Sequence, residues 1–491
     1  MAHFQLIAFH APKQDYFAGY LQDIITASGI KAGVDMKDDY IRLVIHETDP
    51  KTIETFSENL GKWLPFSIFM GKMHSGEDDL APLEESFKAH QADISLCPRC
   101  IAKLFSPDSP DYLNPNLVCD HYNAEVTPKS FPSTDWDALI ADLASGKPVL
   151  LGERTFTQEP TPLLFIADST KLGELLNVTA KEIQVLQSIE KPILKCAIKD
   201  EALKAACGRN FIRVMLFDDA PTAILAKKLK DSGSAYCFVR PFDGLEVSVN
   251  KDDIRLINAP RLHSLEAINP EDTLINRFAN MVEEFDLGPI SSLGAYAPAN
   301  MQCEFILRSA KVSKRVISFL TFDAEGILER IAAVSDAKAR LVANFEAHHP
   351  EAHTALSSGH HPDLFAAICA VLGISGNSYE AVADTALAFM GSGGVKVDVK
   401  FDSGSFDYDS LIASLMSFRL AGVENSLLCY SLFESLADMF VDTLTHLHQR
   451  FKCTDFILMG ELAAYPAFSD RVAKRAGKLV CHISKRHPLD D

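Results

Sequence analysis

Cys97-Pro98-Arg99-Cys100 is followed, after eighteen residues, by Cys119-Asp120-His121-Tyr122. Two cysteines two residues apart sit on one tight turn, and a distant third with a neighbouring histidine makes up the donor set of a tetrahedral zinc site. Cys97, Cys100, Cys119 and His121 are therefore the candidate metal ligands, and zinc the candidate cofactor. The competing reading is a loop that retains Cys97 and Cys100 only as small buried residues. The surrounding stretch, 89–132, is rich in Pro, Asp and Asn. That composition suits a loop-dominated unit stapled by a metal.

The remaining cysteines argue for a reducing compartment. Eleven is an odd number, and most lie singly in apolar runs such as LFAAICAVLG around Cys369. Buried free thiols in a cytoplasm explain this better than a disulfide framework. The N-terminal MAHFQLIAFHAPKQDY has no basic region ahead of a long apolar run, so no signal peptide is expected. No run approaches the eighteen apolar residues of a membrane span. A net charge of −19 argues against general nucleic-acid binding, which needs a basic surface. At 491 residues, three or four domains are expected.

Hydrophobic periodicity organises the chain into four blocks. Residues 1–86 alternate strand and helix in a βαββαβ count, with Gly29 at the first helix stop. That is the count of a ferredoxin-like fold, the architecture of acylphosphatases. Residues 87–132 hold the cysteine unit. Residues 133–268 read as a compact α/β domain. Residues 269–491 end in long helical patterns, the last spanning 427–451. The fold class is thus α/β and α+β, multidomain. The stretches 391–395 (GSGGV) and 402–409 read as loops, and 395–401 (VKVDVKF) as strand-like.

The cysteine segment, with its spacer IAKLFSPDSPDYLNPNLV, resembles the first zinc finger of the HypF family of carbamoyltransferases, which help make the cyanide ligands of nickel–iron hydrogenases. The resemblance extends in order over most of the chain. It implies an acylphosphatase-like block, a zinc-finger-like insert, a YrdC-like block and a truncated, actin-like-ATPase-type carbamoyltransferase block. It also implies that the catalytic positions have been lost. In the first block the family's phosphate-binding Arg falls on Ala18, and its water-orienting Asn on about Met36. In the finger the fourth Cys becomes Tyr122, with His121 as a replacement ligand, and the second finger is absent. In the third block LIADLASGKPVLLGE, Glu190-Lys191-Pro192-Ile193-Leu194 and Asp253-Ile254-Arg255-Leu256 match. A basic stretch near 155–175 is mostly deleted, and the closing basic motif becomes His263-Ser264-Leu265-Glu266-Ala267. Lys147, Arg154 and Arg240 remain as candidate anion contacts, each with the competing reading of an ordinary surface or helix-end charge. In the last block the terminal Gly-Gly turn becomes Met459-Gly460-Glu461-Leu462, which sets a carboxylate where a nucleotide phosphate would lie.

Other motifs carry less. His349 and His353 have the i,i+4 spacing of a helical metal site, but Pro350 interrupts the helix. Asp218-Asp219 reads as a turn, and GSGGV lacks the Gly-Lys-Ser/Thr ending of a phosphate loop. The expectation is a HypF-like, non-catalytic protein with no bound ATP and no catalytic residues. It would act as a binding or scaffold component among protein partners, hydrogenase maturation factors in particular, in the cytoplasm. Two alternatives stay open. A diverged carbamoyltransferase using carbamoyl phosphate and ATP predicts that Lys147, Arg154, Arg240, Asp323 and Glu380 converge in one cleft, and a small-ligand sensor predicts a closed pocket without turnover.

Overall fold

The computed structural model describes residues 3–10, 14–37, 40–76, 94–119, 131–132, 134–260, 262, 265–309, 312–391, 393–402 and 405–490. His121, Lys13 and His263 lie outside the described residues. The chain forms two compact units, Met1–Ser264 and Leu265–Asp491.

The first unit opens with β1 (His3–Phe9), α1 (Tyr16–Ser28), β2 (Ala32–Lys37), β3 (Tyr40–Ile45), α2 (Pro50–Trp63) and β4 (Met70–Gly76). The four strands form an antiparallel sheet in the order β2-β3-β1-β4, which is the ferredoxin-like arrangement. Local chemistry sets its boundaries. Gly29 ends α1 in the left-handed conformation, φ 64°, and its N–H donates to the Ile25 carbonyl. The Asp49 side chain caps α2, with Pro50 in the first turn where its missing N–H costs nothing. One face of α1 is fully buried: Tyr16, Phe17, Ala18, Tyr20 and Leu21 enter the core.

Helix α3 (Pro98–Phe105) carries the first cysteine pair. Beyond it a nine-stranded mixed sheet builds the α/β part. In its centre, strand Phe211–Met215 runs parallel to Leu163–Ile166 and antiparallel to Ile193–Ile198. Near-continuous burial along Leu163–Ile166 marks a strand covered on both faces. The cysteine segment and much of this sheet share one apolar core with α1.

The second unit has a five-stranded sheet in the order Val312–Ser318, Glu304–Ser309, Ser292–Tyr296, Asp455–Met459, Val480–His482. Between the parallel neighbours Ser292–Tyr296 and Asp455–Met459 lies a helical excursion that ends in the long helix Asn425–Phe451. Pro350 does split the histidine stretch: one helix ends at His348 and the next begins at Pro350. Two local expectations change. The 402–409 stretch contains a two-stranded hairpin, Phe401–Asp402 with Ser405–Phe406, and the start of helix Tyr408–Leu420. Of the strand-like 395–401, only Phe401 pairs, in that hairpin; 395–400 joins no sheet among the described residues, and serine side chains on neighbouring helices take the Val395, Val397 and Asp398 N–H groups.

Candidate functional site

Cys97 is the N-cap of α3, and its Sγ accepts the Cys100 N–H at 3.3 Å. This places the second thiol beside the first. Cys119 comes back from the loop to set its Sγ 3.7 Å from that of Cys100, and the three sulfurs all lie within 4.8 Å of one another. A zinc–thiolate bond of about 2.3 Å implies a sulfur–sulfur edge of about 3.8 Å in a tetrahedron, so the donor set fits the metal. All three cysteines are buried. The neighbouring Cys119 and Cys97 sulfurs, followed by burial, hold the Cys100 thiol far above its ordinary range. Only a cation would reverse that balance and favour thiolates. The cluster is fastened to α1 by an ion pair between Arg99 and Asp23, and Tyr20 on the same helix lies near it. The fourth ligand, assigned to His121, lies outside the described residues. Among the described residues no histidine joins a comparable cluster, so the 348–361 histidines carry no metal geometry.

Adjoining the cysteines is a cavity of about 510 Å3, reached by Cys119, Arg154, Lys191, Asp218, Asp219 and Phe242. Arg154 is buried and donates twice to Asp218, once at 2.7 Å, with Asp219 3.9 Å away. Its guanidinium lies 4.8 Å over the Phe242 ring. Asp219 also caps helix Ala220–Asp231 through a reciprocal box with Thr222, so the Asp-Asp pair is a helix start. Burial, then the Asp218 charge, raises the Asp219 carboxyl. Lys191, half-buried at φ 47°, donates to the Gln187 carbonyl at 2.9 Å and lies 5.4 Å from the Phe217 ring. Loss of water lowers its ammonium to about 8, against the opposing charges of Glu190 and Asp218. Glu153, Glu190, Asp218 and Asp219 outnumber Arg154 and Lys191 on the lining, so the cavity does not attract anions.

Of the three basic residues singled out in the sequence, only Arg154 lines this cavity. Lys147 is exposed and pairs with Asp142 at 2.7 Å, and Arg240 is exposed outside the lining. In the second unit Asp323 and Glu380 make local contacts, to the Glu325 N–H and the Ser378 hydroxyl. Sequence reasoning missed Glu190 and Lys191 as site residues. Their signals were their place in the matching Glu190-Lys191-Pro192-Ile193-Leu194 stretch and a charged pair set directly before an apolar strand.

Glu190 is buried and accepts three bonds from the ferredoxin-like part: the Tyr16 hydroxyl at 2.6 Å, the Ser67 hydroxyl, and the Ile68 N–H at 3.0 Å. A comparable arrangement closes the C-terminal turn. Asp490 accepts from the Tyr296 hydroxyl at 2.7 Å and from the Glu461 N–H at 3.2 Å, with buried Arg277 at 3.7 Å. Glu461 itself turns back to accept the Ala299 N–H at 3.1 Å. Gly460 sits at φ 92°, and a Cβ there would come within 2.4 Å of the Ala297 carbonyl. That glycine is required by chain packing.

No family model matches the chain. Protein HydE of Wolinella succinogenes is 24% identical over 507 aligned positions, covering 89% of this chain and 90% of the relative. The T. kodakarensis HypF crystal structure superposes with a TM-score of 0.64 at 13% identity, covering 100% of this chain and 97% of that one. Full-length HypF in its phosphate- and nucleotide-bound form gives a TM-score of 0.58 at 12% identity, covering 100% and 96%. The chain has the HypF fold, and the resemblance first seen in its cysteine segment holds along its length.

Proposed function

We propose that this chain is a non-catalytic relative of HypF that acts as a binding or scaffold component of a cytoplasmic, hydrogenase-type maturation pathway. The observation that carries this reading is the use of the chain's own carboxylates on groups that an anionic substrate would need. Tyr16, Ser67 and the Ile68 N–H donate to Glu190, Arg154 donates to Asp218, and Tyr296 and the Glu461 N–H donate to Asp490. A carboxylate tethered to the chain competes at the high effective concentration of an intramolecular ligand. A free phosphate has to displace it and leave it unpaired, at a cost of several kcal/mol, on the order of the penalty for an unpaired buried charge. Zinc at Cys97, Cys100 and Cys119 would serve as a structural staple in this reading. Its partners are proteins, the hydrogenase maturation factors foremost.

The test is release of AMP or ADP from ATP by the purified protein, with and without carbamoyl phosphate. No turnover by folded protein is the expected result. Turnover that depends on carbamoyl phosphate overturns the reading and supports a diverged carbamoyltransferase.

A further inference from the structure

A groove of about 860 Å3 runs along the C-terminal half of the long helix Asn425–Phe451. Its other sides are the extended segment 396–401 and Val316 and Ile317 of the strand at the sheet edge. The segment is held in place by side chains. The Val395 N–H donates to Ser431 at 2.9 Å, the Val397 N–H to Ser435 at 3.2 Å and the Asp398 N–H to Ser414 at 3.1 Å. Val397 is buried, while Lys396 and Lys400 are exposed and line the groove. Arg450 and His446, one turn apart on the helix, line it as well.

The charges here run against the rest of the molecule. Two carboxylates lie on the lining, but both are engaged. Asp438 holds Arg471 at 2.7 Å and Arg475 at 2.9 Å, and Asp442 holds Arg475 at 3.5 Å. Lys396, Lys400 and Arg450 have no carboxylate partner among the described residues. Asp398, exposed between the two lysines, does not line the groove, and in a chain of net charge −19 three cations without an ion-pair partner on one lining form a local positive field. Beneath them is an apolar floor that includes Val316, Ile317, Met439 and Leu447.

We propose that this groove binds a multiply charged organic phosphate, its phosphates held by Lys396, Lys400 and Arg450 and its apolar or aromatic body laid on the floor. A single carboxylate would leave cations unmatched, whereas a phosphate chain offers several strong acceptors to donors spaced along one groove. The volume suits a nucleotide-sized molecule. An added peptide strand is disfavoured, because the edge strand carries an irregularity at Val316, where the register shifts between Ile317 and Arg315. The Gly460–Glu461 turn and Asp490 do not line the groove, so this is a separate place from the one the resemblance gives to nucleotide. The inference goes beyond the non-catalytic reading and does not depend on it.

The experiment is calorimetric titration of the full-length protein at low salt with ADP, pyrophosphate and inorganic phosphate. ADP is expected to bind, more tightly than pyrophosphate. The double substitution Lys396→Glu/Lys400→Glu should weaken ADP by about tenfold or more. Lys171→Glu, at an exposed lysine of the first unit, should not change it. Lys400→Gln, which removes a single exposed charge, should weaken ADP severalfold and covers the case in which the double variant does not fold. Unchanged ADP affinity in these groove variants, equal affinity for ADP and pyrophosphate, or no binding of any of the three probes overturns the proposal.

Discussion

The Tyr16 hydroxyl donates to the Glu190 carboxylate at 2.6 Å, joining residues 174 positions apart in the chain. Tyr16 opens α1 of the ferredoxin-like part, and Glu190 stands just before a strand of the large mixed sheet. The bond is buried, and burial raises both groups from their ordinary pKa values. Because Glu190 also takes the Ser67 hydroxyl and the Ile68 N–H, one carboxylate ties three points of one part to the other.

Tyr16→Phe leaves part of that buried carboxylate unsatisfied. It should destabilise the first unit by about 1–3 kcal/mol, the cost of an unmet buried acceptor. Urea unfolding followed by fluorescence reads this directly, because both tryptophans, Trp63 and Trp136, belong to that unit. An unchanged midpoint would show that the network contributes nothing.

Zinc at the cysteine cluster predicts about one metal ion per chain, measured by elemental analysis of protein purified without chelator. Cys97→Ser or Cys119→Ser should abolish it and lower the melting temperature, since binding energy at a structural site is folding energy. Protein that carries no metal as purified, and whose melting temperature the cysteine substitutions leave unchanged, would favour the loop reading.

Lys191, with its ammonium lowered to about 8, should be acylated at pH 7.5 about tenfold faster than exposed lysines. Peptide mapping after brief treatment with an amine-reactive ester checks this. The same shift links to stability. The folded value lies below the unfolded one, so a penalty is present in full below pH 8 and is relieved as pH rises toward the ordinary lysine range. Lys191→Met should therefore stabilise the protein more at pH 7 than at pH 10.

Gly460→Ala should cost at least about 3 kcal/mol, since the added Cβ meets backbone at 2.4 Å in a left-handed conformation. Thermal unfolding of the second unit gives the number. A shift of less than a degree would mean that the turn relaxes freely.

Asp272 is held below the usual carboxylate range chiefly by the Arg315 guanidinium. Its contribution is present above the unfolded pKa of about 3.9 and is lost as pH falls through the lower folded value. The pair is partly exposed, so the effect should stay under about 1 kcal/mol. Arg315→Gln should flatten the acid limb of stability below pH 4, and an unchanged limb would exclude the linkage.

The sequence by itself determined the local elements and the thiol donors. The βαββαβ count, the stop at Gly29, the break at Pro350 and the three cysteines are written in short-range spacing, because caps, glycine conformations and the C-x-x-C turn depend on neighbouring residues. The strand-like 395–400 shows where that logic ends: its alternation suits a sheet, but Ser431, Ser435 and Ser414, brought alongside by helix packing, took its donors first. Only the tertiary structure decided that Arg154 would be claimed by Asp218, that Glu190 would meet Tyr16, and that Asp490 would close the turn at Glu461. Those pairings join distant stretches of chain. They arise from which polar groups the packed cores leave facing one another, and a buried charge with no other partner has to take the one it meets.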